Sequence, residues 1–254
     1  MLGNNIKKYV IANWKMKLSH EQGLRLARDM VDRYKPLDNL EVVLCPSFNS
    51  LSQVGEYLED SGIKLGAQNC FFHDSGSYTG EISPEVLHEI GCQYVIIGHS
   101  ERRKLGETDD DVNRKVAAAL KHNLIPIICV GETFEEYQKE KTDVVIIKQV
   151  TKALEDIVLN QGQKVILAYE PVWVIGSGQA VDHSIVEHIV QIILHTAIDL
   201  DSSFADKFQV IYGGSVDADN VNDFIIGNIC TGVIVGNSSL KVDSFMDILD
   251  NIRV

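Results

Sequence analysis

Eight short runs of apolar residues, each four to six residues long and rich in Val and Ile, recur along the chain. Within most runs the apolar residues do not alternate with polar ones, which is typical of parallel strands that are buried on both faces. The pattern therefore predicts eight strands, at Lys8–Asn13, Glu41–Cys45, Lys64–Gln68, Tyr94–Gly98, Ile125–Val130, Val165–Tyr169, Gln209–Tyr212 and Gly232–Val235.

The segments between these runs carry signals of helix ends. Ser83 and Pro84 are typical of an N-cap followed by the first helical residue, and Gly91 is typical of a helix end. Ser184 and Glu187 have the spacing of a capping box, which predicts another helix start.

A further helix is predicted over Asp217–Ile226, which begins with acidic residues and is followed by Gly227. Strands and helices thus alternate throughout 254 residues, with one strand in about every 32. This alternation predicts an α/β fold with one domain over residues 1–254, a (βα)8 barrel of eight parallel strands inside an outer ring of helices. The alternative is a doubly wound open sheet, but the first strand–helix turn lacks the G-x-G-x-x-G pattern.

Composition limits the partners and the compartment. An apolar content of 45% excludes a disordered chain, and a net charge of −13 disfavours binding to nucleic acid. No apolar stretch approaches the roughly 20 residues of a membrane span, and the N-terminal segment lacks the apolar block of a secretory signal. The five cysteines form no C-x-x-C pair, so the sequence predicts neither a disulfide framework nor a metal site. We expect a cytoplasmic protein with no membrane or nucleic-acid partner.

Candidate catalytic residues stand where predicted strands end, which is where this fold places its active sites. Lys15 follows the first strand and offers a cation to an anionic substrate in an otherwise acidic chain. His99 follows the fourth strand and precedes a polar helical turn, whose dipole disfavours an imidazolium. Glu170 follows the sixth strand directly and precedes Pro171. A charged group directly after a buried strand is unusual unless it has a function. A solvated Lys15, a structural His99 and a salt-bridged Glu170 are the alternatives.

Glycines mark the other end of the predicted site. Gly213-Gly214 follows the seventh strand and Gly236 follows the eighth, where loops of this fold recurrently bind phosphate. The segment 174–178 combines apolar residues with two glycines, which predicts a lid over the ligand.

Five stretches resemble the triosephosphate isomerase family. They lie at Ala12–Met16, Gly98–Arg103 (GHSERR), Cys129–Thr133 (CVGET), Tyr169–Gly178 (YEPVWVIGSG) and Tyr212–Val216 (YGGSV). They stand in the family's order, and the likeness runs from about residue 8 to residue 250. The resemblance implies a TIM barrel and the interconversion of dihydroxyacetone phosphate and D-glyceraldehyde 3-phosphate through an enediolate, in glycolysis and gluconeogenesis, without a metal or cofactor.

The resemblance also implies a role for each matching residue. Glu170 is the base that moves the proton, and His99 is the neutral electrophile. Lys15 and Asn13 bind the substrate and stabilise negative charge, while Glu101, next to Ser100, supports Lys15. The phosphate ligands implied by the family pattern, mainly through backbone N–H groups, are Gly176, Ser215, Gly236 and Asn237.

The chain departs from the family pattern at a few positions. Asn237 stands where glycine is usual, so its backbone must avoid a conformation open only to glycine. The segment 104–106 is about one residue shorter than usual, which bears on the geometry of the helix there. Lys17 and the lid residues Val174, Ser177 and Gln179 also replace commoner residues.

Gln68-Asn69 followed by Thr79-Gly80-Glu81 resembles the family's dimer-forming loop. The resemblance therefore implies a homodimer through the loop from Cys70 to Glu81, which composition alone would describe as a flexible loop.

Two other functions remain as alternatives. The first is a related phosphate-binding barrel enzyme that acts on a larger sugar phosphate or an aminoaldose. The second is a barrel without enzymatic activity, although a binding scaffold has no reason to keep Lys15, His99 and Glu170 together.

Overall fold

The eight predicted strands form one closed barrel. The computed structural model describes residues 7–174, 181–225 and 230–252. Each strand pairs in parallel with the next one along the chain, and the last pairs with the first, so the sheet has no free edge. The prediction of a (βα)8 barrel is confirmed, and the open-sheet alternative is wrong. The strands are β1 (Lys8–Asn13), β2 (Leu40–Cys45), β3 (Lys64–Ala67), β4 (Tyr94–Ile97), β5 (Ile125–Val130), β6 (Val165–Tyr169), β7 (Phe208–Tyr212) and β8 (Gly232–Val235).

Helices surround this barrel. Short 3-10 helices lie at Phe48–Ser50, Ser202–Phe204 and Asn237–Leu240. The α-helices of the described residues are α1 (His20–Arg33), α2 (Leu51–Leu58), α3 (Pro84–Glu89), α4 (Ser100–Lys104), α5 (Asp109–Lys121), α6 (Phe134–Gln138), α7 (Thr142–Leu154), α8 (His183–Leu200), α9 (Val221–Ile225) and α10 (Val242–Asn251).

The strands are buried on both faces, which explains why their sequences are apolar without alternation. In β1, Tyr9 and Ile11 belong to an apolar cluster inside the barrel. Val10 and Ala12, which point the other way, belong to the larger cluster between the strands and the helices. The two clusters together fix the strands in place, so residues at their carboxyl ends sit on a rigid frame.

One predicted helix start is confirmed and another is wrong. Ser83 caps α3 by accepting a hydrogen bond from the backbone N–H of Val86, with Pro84 as the first helical residue. The N-cap predicted at Ser184 lies two residues late, because Asp182 is the N-cap and accepts hydrogen bonds from both the backbone N–H and the hydroxyl of Ser184. Asp is as strong an N-cap as Ser, and here it comes first along the chain.

The helix predicted over Asp217–Ile226 is shorter in the structure, where α9 begins at Val221 and Gly227 lies outside the described residues. The Asp217 carboxylate accepts hydrogen bonds from the backbone N–H groups of Asp219 and Asn220, at 3.0 and 3.1 Å. The Asp217 N–H in turn donates to Oδ1 of Asn220 at 3.0 Å, and the Val221 N–H donates to the Asp217 carbonyl at 3.1 Å. This reciprocal pattern resembles a capping box, so Asp217 caps the turn of residues 218–220 that leads into α9.

The segment 104–106, which the resemblance suggests is about one residue short, forms the end of α4. Gly106 has a φ of +101° and its N–H donates to the Arg103 carbonyl at 3.0 Å. The next N–H, of Glu107, donates to the Arg102 carbonyl at 3.2 Å, as is usual where a glycine ends a helix. The short segment is therefore a regular helix end.

No helix among the described residues is both long and apolar enough to cross a membrane. All five cysteines are free and buried.

Candidate active site

A polar pocket opens at the carboxyl end of the barrel strands. It collects side chains and backbone from the ends of β1, β4, β6, β7 and β8. Its lining is Asn13, Lys15, His99, Glu170, Gly213, Gly214, Ser215, Val216, Ile234, Gly236, Asn237 and Ser238. Seven residues predicted for the site thus line one pocket, while Gly176 and the rest of the lid from 175 to 178 lie outside the described residues.

Glu170 follows β6 directly and its side chain is buried. One carboxylate oxygen, Oε2, accepts a hydrogen bond from the backbone N–H of Ser100 at 3.3 Å. The other, Oε1, lies 3.4 Å from Nε2 of His99. Both donors come from the start of α4, so the carboxylate is held next to the imidazole at the wall of the pocket.

His99 is the N-cap of α4, and this position determines which ring nitrogen carries a proton. Its Nδ1 accepts a hydrogen bond from the backbone N–H of Glu101 at 3.1 Å. A nitrogen that accepts has no hydrogen, so a neutral ring carries its hydrogen on Nε2, the atom that faces Glu170 and the pocket. The imidazole can therefore donate one hydrogen bond into the pocket.

Lys15 lies beyond the end of β1 with a φ of +52°, a left-handed conformation that is uncommon for a residue with a side chain. Its backbone N–H donates to Oδ1 of Asn13 at 3.1 Å. Its carbonyl accepts hydrogen bonds from the Ser47 hydroxyl at 2.8 Å and from Nε2 of Gln68 at 2.9 Å. Surrounding side chains thus hold the strained backbone in place and direct the ammonium into the pocket.

The Lys15 ammonium forms an ion pair with Glu101, with 2.9 Å between Nζ and Oε1. Partial burial raises the pKa of the Glu101 carboxyl, but the hydrogen bond and charge of Lys15, with smaller effects of His99 and Lys104, outweigh it and lower this pKa overall. Glu101 therefore stays ionised and limits the directions that the lysine side chain can take. Ser100, its neighbour, contacts the site through its backbone N–H.

The loops after β7 and β8 form the opposite wall. Gly213 and Gly214 allow a close approach of backbone, since a Cβ on Gly214 would lie 2.1 Å from the Tyr212 hydroxyl oxygen. The two loops are joined by a hydrogen bond from the Ser238 hydroxyl to the Val216 carbonyl at 2.9 Å. Both loops therefore keep a fixed geometry beside the catalytic candidates.

Asn237, where the resemblance implies a departure from glycine, does not have a positive φ. The backbone of Asn237 therefore avoids the conformations open only to glycine, as the sequence required, and asparagine adopts it without strain. The preceding Gly236 lies close to the ammonium, since a Cβ placed on it would be 3.7 Å from Cε of Lys15.

Two side chains hold the segments on either side of the undescribed residues 175–180. The buried carboxylate of Glu132 accepts a hydrogen bond from Nε1 of Trp173 at 2.8 Å. Burial raises the pKa of the Glu132 carboxyl. At the other end, the backbone N–H of Val181 donates to the Tyr212 hydroxyl at 3.4 Å. Trp173 and Val181, which flank these residues, are therefore anchored to the barrel.

Sequence reasoning did not identify Ser47, Gln68 and Glu132 as supports of the site. Gln68 and Glu132 follow strands at the same end as Lys15 and Glu170, so the strand-end argument could have found them. Nothing in the sequence distinguishes Ser47, because its contact with Lys15 joins segments that are distant along the chain.

Three comparisons relate this architecture to known proteins. The family model described as triosephosphate isomerase matches residues 8–252. Proteins named triosephosphate isomerase from Dictyoglomus turgidum and Carboxydothermus hydrogenoformans are each 41% identical over 245 residues, covering 96% of this chain and 98% of theirs. A crystal structure of triosephosphate isomerase from Bartonella henselae superposes with a TM-score of 0.82 at 34% identity, covering 97% of this chain and 99% of that one. The chain belongs to the triosephosphate isomerase family and is therefore an isomerase with a role in glycolysis.

Proposed function

We propose that this chain interconverts dihydroxyacetone phosphate and D-glyceraldehyde 3-phosphate, with Glu170 as the base. The observation that carries the proposal is the meeting of the Glu170 carboxylate with Nε2 of His99, 3.4 Å away, in a pocket that also contains the Lys15 ammonium. A carboxylate, a hydrogen-bond donor and a cation are the groups needed to remove a proton from a carbon next to a carbonyl.

In the proposed reaction, Glu170 removes the proton from the carbon beside the substrate carbonyl. The electron pair left behind forms the enediolate double bond, and negative charge moves to the carbonyl oxygen. His99 donates a hydrogen bond from Nε2 to the substrate oxygens, and Lys15 with Asn13 compensates the charge. The hydroxyl proton on the first carbon passes to the former carbonyl oxygen beside Nε2 of His99, and Glu170 returns its proton to the neighbouring carbon. The first carbon–oxygen bond becomes the new carbonyl, so the isomerisation is complete without a net change in protons or electrons.

The phosphate group is bound by backbone N–H groups of Ser215, Gly236 and Asn237. The closeness of Gly236 to the Lys15 side chain supports this assignment, because it would bring the phosphate and the ammonium together. The Ser215 carbonyl accepts a hydrogen bond from Nδ2 of Asn220 at 3.2 Å, which holds that loop in place. The role of Gly176 rests on the resemblance of the lid sequence alone.

An assay of purified protein tests this function directly. The wild-type chain is expected to isomerise D-glyceraldehyde 3-phosphate, and Glu170→Gln is expected to lose about 10³-fold or more in kcat while still binding substrate. Glu187→Gln, which removes an exposed carboxylate from α8, is the matched control and keeps its kcat. Near-normal turnover of Glu170→Gln would contradict the role of Glu170.

The same assay separates the alternatives. A preference for a pentose phosphate or a phosphorylated aminoaldose would favour a related barrel enzyme. Binding of triose phosphate without turnover of any substrate would favour a barrel without enzymatic activity.

We also propose a homodimer through the loop from Cys70 to Glu81. Within this loop, the rings of Phe71 and Phe72 stack with centroids 4.0 Å apart, and the rings of His73 and Tyr78 stack at 4.9 Å. The Arg114 guanidinium lies 3.4 Å from the centroid of Phe72. A loop that is ordered by aromatic contacts and still exposes large side chains is suited to docking on a second copy.

Asp74 joins this loop to α5 by an ion pair with Lys121 and a 2.7 Å contact with Nε2 of His122. Their hydrogen bonds, that of Lys121 first, lower the pKa of the Asp74 carboxyl. Light scattering at micromolar concentration is expected to give twice the mass of one chain, and a stable single-chain mass would contradict the dimer.

The domain assignment and the location are also proposals. Residues 1–254 form one domain, which is supported by the use of all eight strands, from the first to the last, in one barrel. The protein acts in the cytoplasm, which is supported by five free cysteines and by the glycolytic role of the family.

A further inference from the structure

Gly131, the first residue after β5, is in direct backbone contact with Glu170. A Cβ on Gly131 would lie 1.8 Å from the Glu170 carbonyl oxygen and 2.6 Å from its carbonyl carbon. On either side of this contact, the Glu170 N–H donates to the Val130 carbonyl at 2.8 Å and the Val172 N–H donates to the Glu132 carbonyl at 3.2 Å. The backbone of 130–132 is therefore the surface against which the backbone of Glu170 rests.

Helix α7 in turn holds Gly131 through one side chain, that of Gln149. The Gly131 N–H donates to Oε1 of Gln149 at 2.8 Å, and Nε2 of Gln149 donates to the Gly131 carbonyl at 3.2 Å. A carboxamide can satisfy both groups at once because it has one acceptor oxygen and a donor NH₂. Both backbone polar groups of Gly131 are thus bound by a half-buried side chain in the middle of α7.

We propose that Gln149 is a positioning residue, which holds the Glu170 backbone at the depth needed for proton transfer by clamping Gly131. The inference rests on the proposed role of Glu170 as the base. Proton transfer depends steeply on the distance between base and carbon, so a shift of Gly131 would change the chemical step. Substrate binding would change little, since Lys15, Ser215 and Gly236 follow other strands.

Gln163 offers a matched control. It also makes two hydrogen bonds to backbone, accepting from the Asn160 N–H at 3.0 Å and donating to the Leu120 carbonyl at 2.7 Å. It is half-buried like Gln149, but it precedes β6 and so lies at the end of the barrel opposite the pocket. Replacing either glutamine by methionine removes two bonds of the same kind.

The experiment compares kcat, KM and Tm of Gln149→Met and Gln163→Met. We expect comparable falls in Tm, a fall of about 10-fold in kcat for Gln149→Met with KM within about 2-fold, and an unchanged kcat for Gln163→Met. Equal kcat values for the two variants, or a loss at Gln149 that lies entirely in KM, would overturn the proposal.

Should Gln149→Met fail to fold, Gln149→Glu decides the question. It keeps an acceptor for the Gly131 N–H but places an oxygen opposite the Gly131 carbonyl. We expect kcat to fall about 3-fold or more relative to Gln163→Glu, and equality would overturn the proposal.

Glu170→Gln is measured in the same series to separate the two proposals. If it retains turnover, the role of Glu170 fails and this inference fails with it. If it is inactive while the Gln149 and Gln163 variants are alike, this inference alone fails.

Discussion

The backbone N–H of Glu101 donates a hydrogen bond to Nδ1 of His99, with 3.1 Å between the two nitrogens. The Glu101 carboxylate lies farther from this ring nitrogen, at 3.8 Å. The shorter contact with the N–H requires a lone pair on Nδ1, so it determines the proton position in the neutral ring. The backbone at the start of α4 thus determines that the neutral imidazole carries its hydrogen on Nε2.

This contact predicts the tautomer of His99. At pH 8, 15N NMR of the ring is expected to show the hydrogen on Nε2 and an unprotonated Nδ1. His99→Asn is expected to lower kcat by about 10²-fold or more, because the donor to the substrate oxygens is misplaced or lost. His188→Asn, at an exposed histidine that pairs with Asp143, is the control. A ring protonated on Nδ1 would contradict the assignment.

The pair of Lys15 and Glu101 predicts how stability depends on pH. Because the pKa of Glu101 is lowered in the folded protein, the unfolded state binds more protons as the pH falls through about 4.3, the usual value for glutamate. The contribution of Glu101 is therefore present above this pH and is lost on acidification through the folded pKa.

We expect Glu101→Gln to lower the free energy of unfolding at pH 7 by at most about 1 kcal/mol, since the carboxylate is half exposed. Denaturant unfolding at pH 7 and at lower pH should show the difference between wild type and variant shrinking with acidification. A difference that grows towards low pH would show that the sign is wrong.

Gly213 predicts a steric limit on the base. A Cβ at this position would lie 2.7 Å from Cγ of Glu170 and 2.9 Å from Cγ2 of Ile234. Gly213→Ala is therefore expected to displace the Glu170 side chain and to lower kcat by about 10-fold or more.

The control for this change is Gly23→Ala in α1, where the added Cβ would meet its nearest neighbour, Oγ of Ser50, at 3.4 Å. This variant is expected to keep its kcat and to gain stability, since alanine is favoured over glycine inside a helix. Equal activity of the Gly213 and Gly23 variants would show that the Glu170 side chain has room to move.

Sequence alone determined the barrel and most of the pocket lining. Runs such as Ile125–Val130 and Val165–Tyr169 are apolar without alternation because both faces of each strand are buried, so their pattern already carries the architecture. Lys15, His99 and Glu170 were predictable for a related reason, since parallel strands place their carboxyl ends at one face of the barrel.

Only the tertiary structure decided which groups support these residues and how they are oriented. The left-handed backbone of Lys15 depends on Ser47 and Gln68, and the backbone of Glu170 rests on Gly131, which Gln149 holds from a helix. The start of α8 likewise depended on which of two possible N-cap side chains, Asp182 or Ser184, caps the helix, and in the structure it is Asp182. Periodicity records the burial of each residue, whereas a hydrogen bond depends on distances of a few tenths of an ångström between distant segments, which no pattern along the chain encodes.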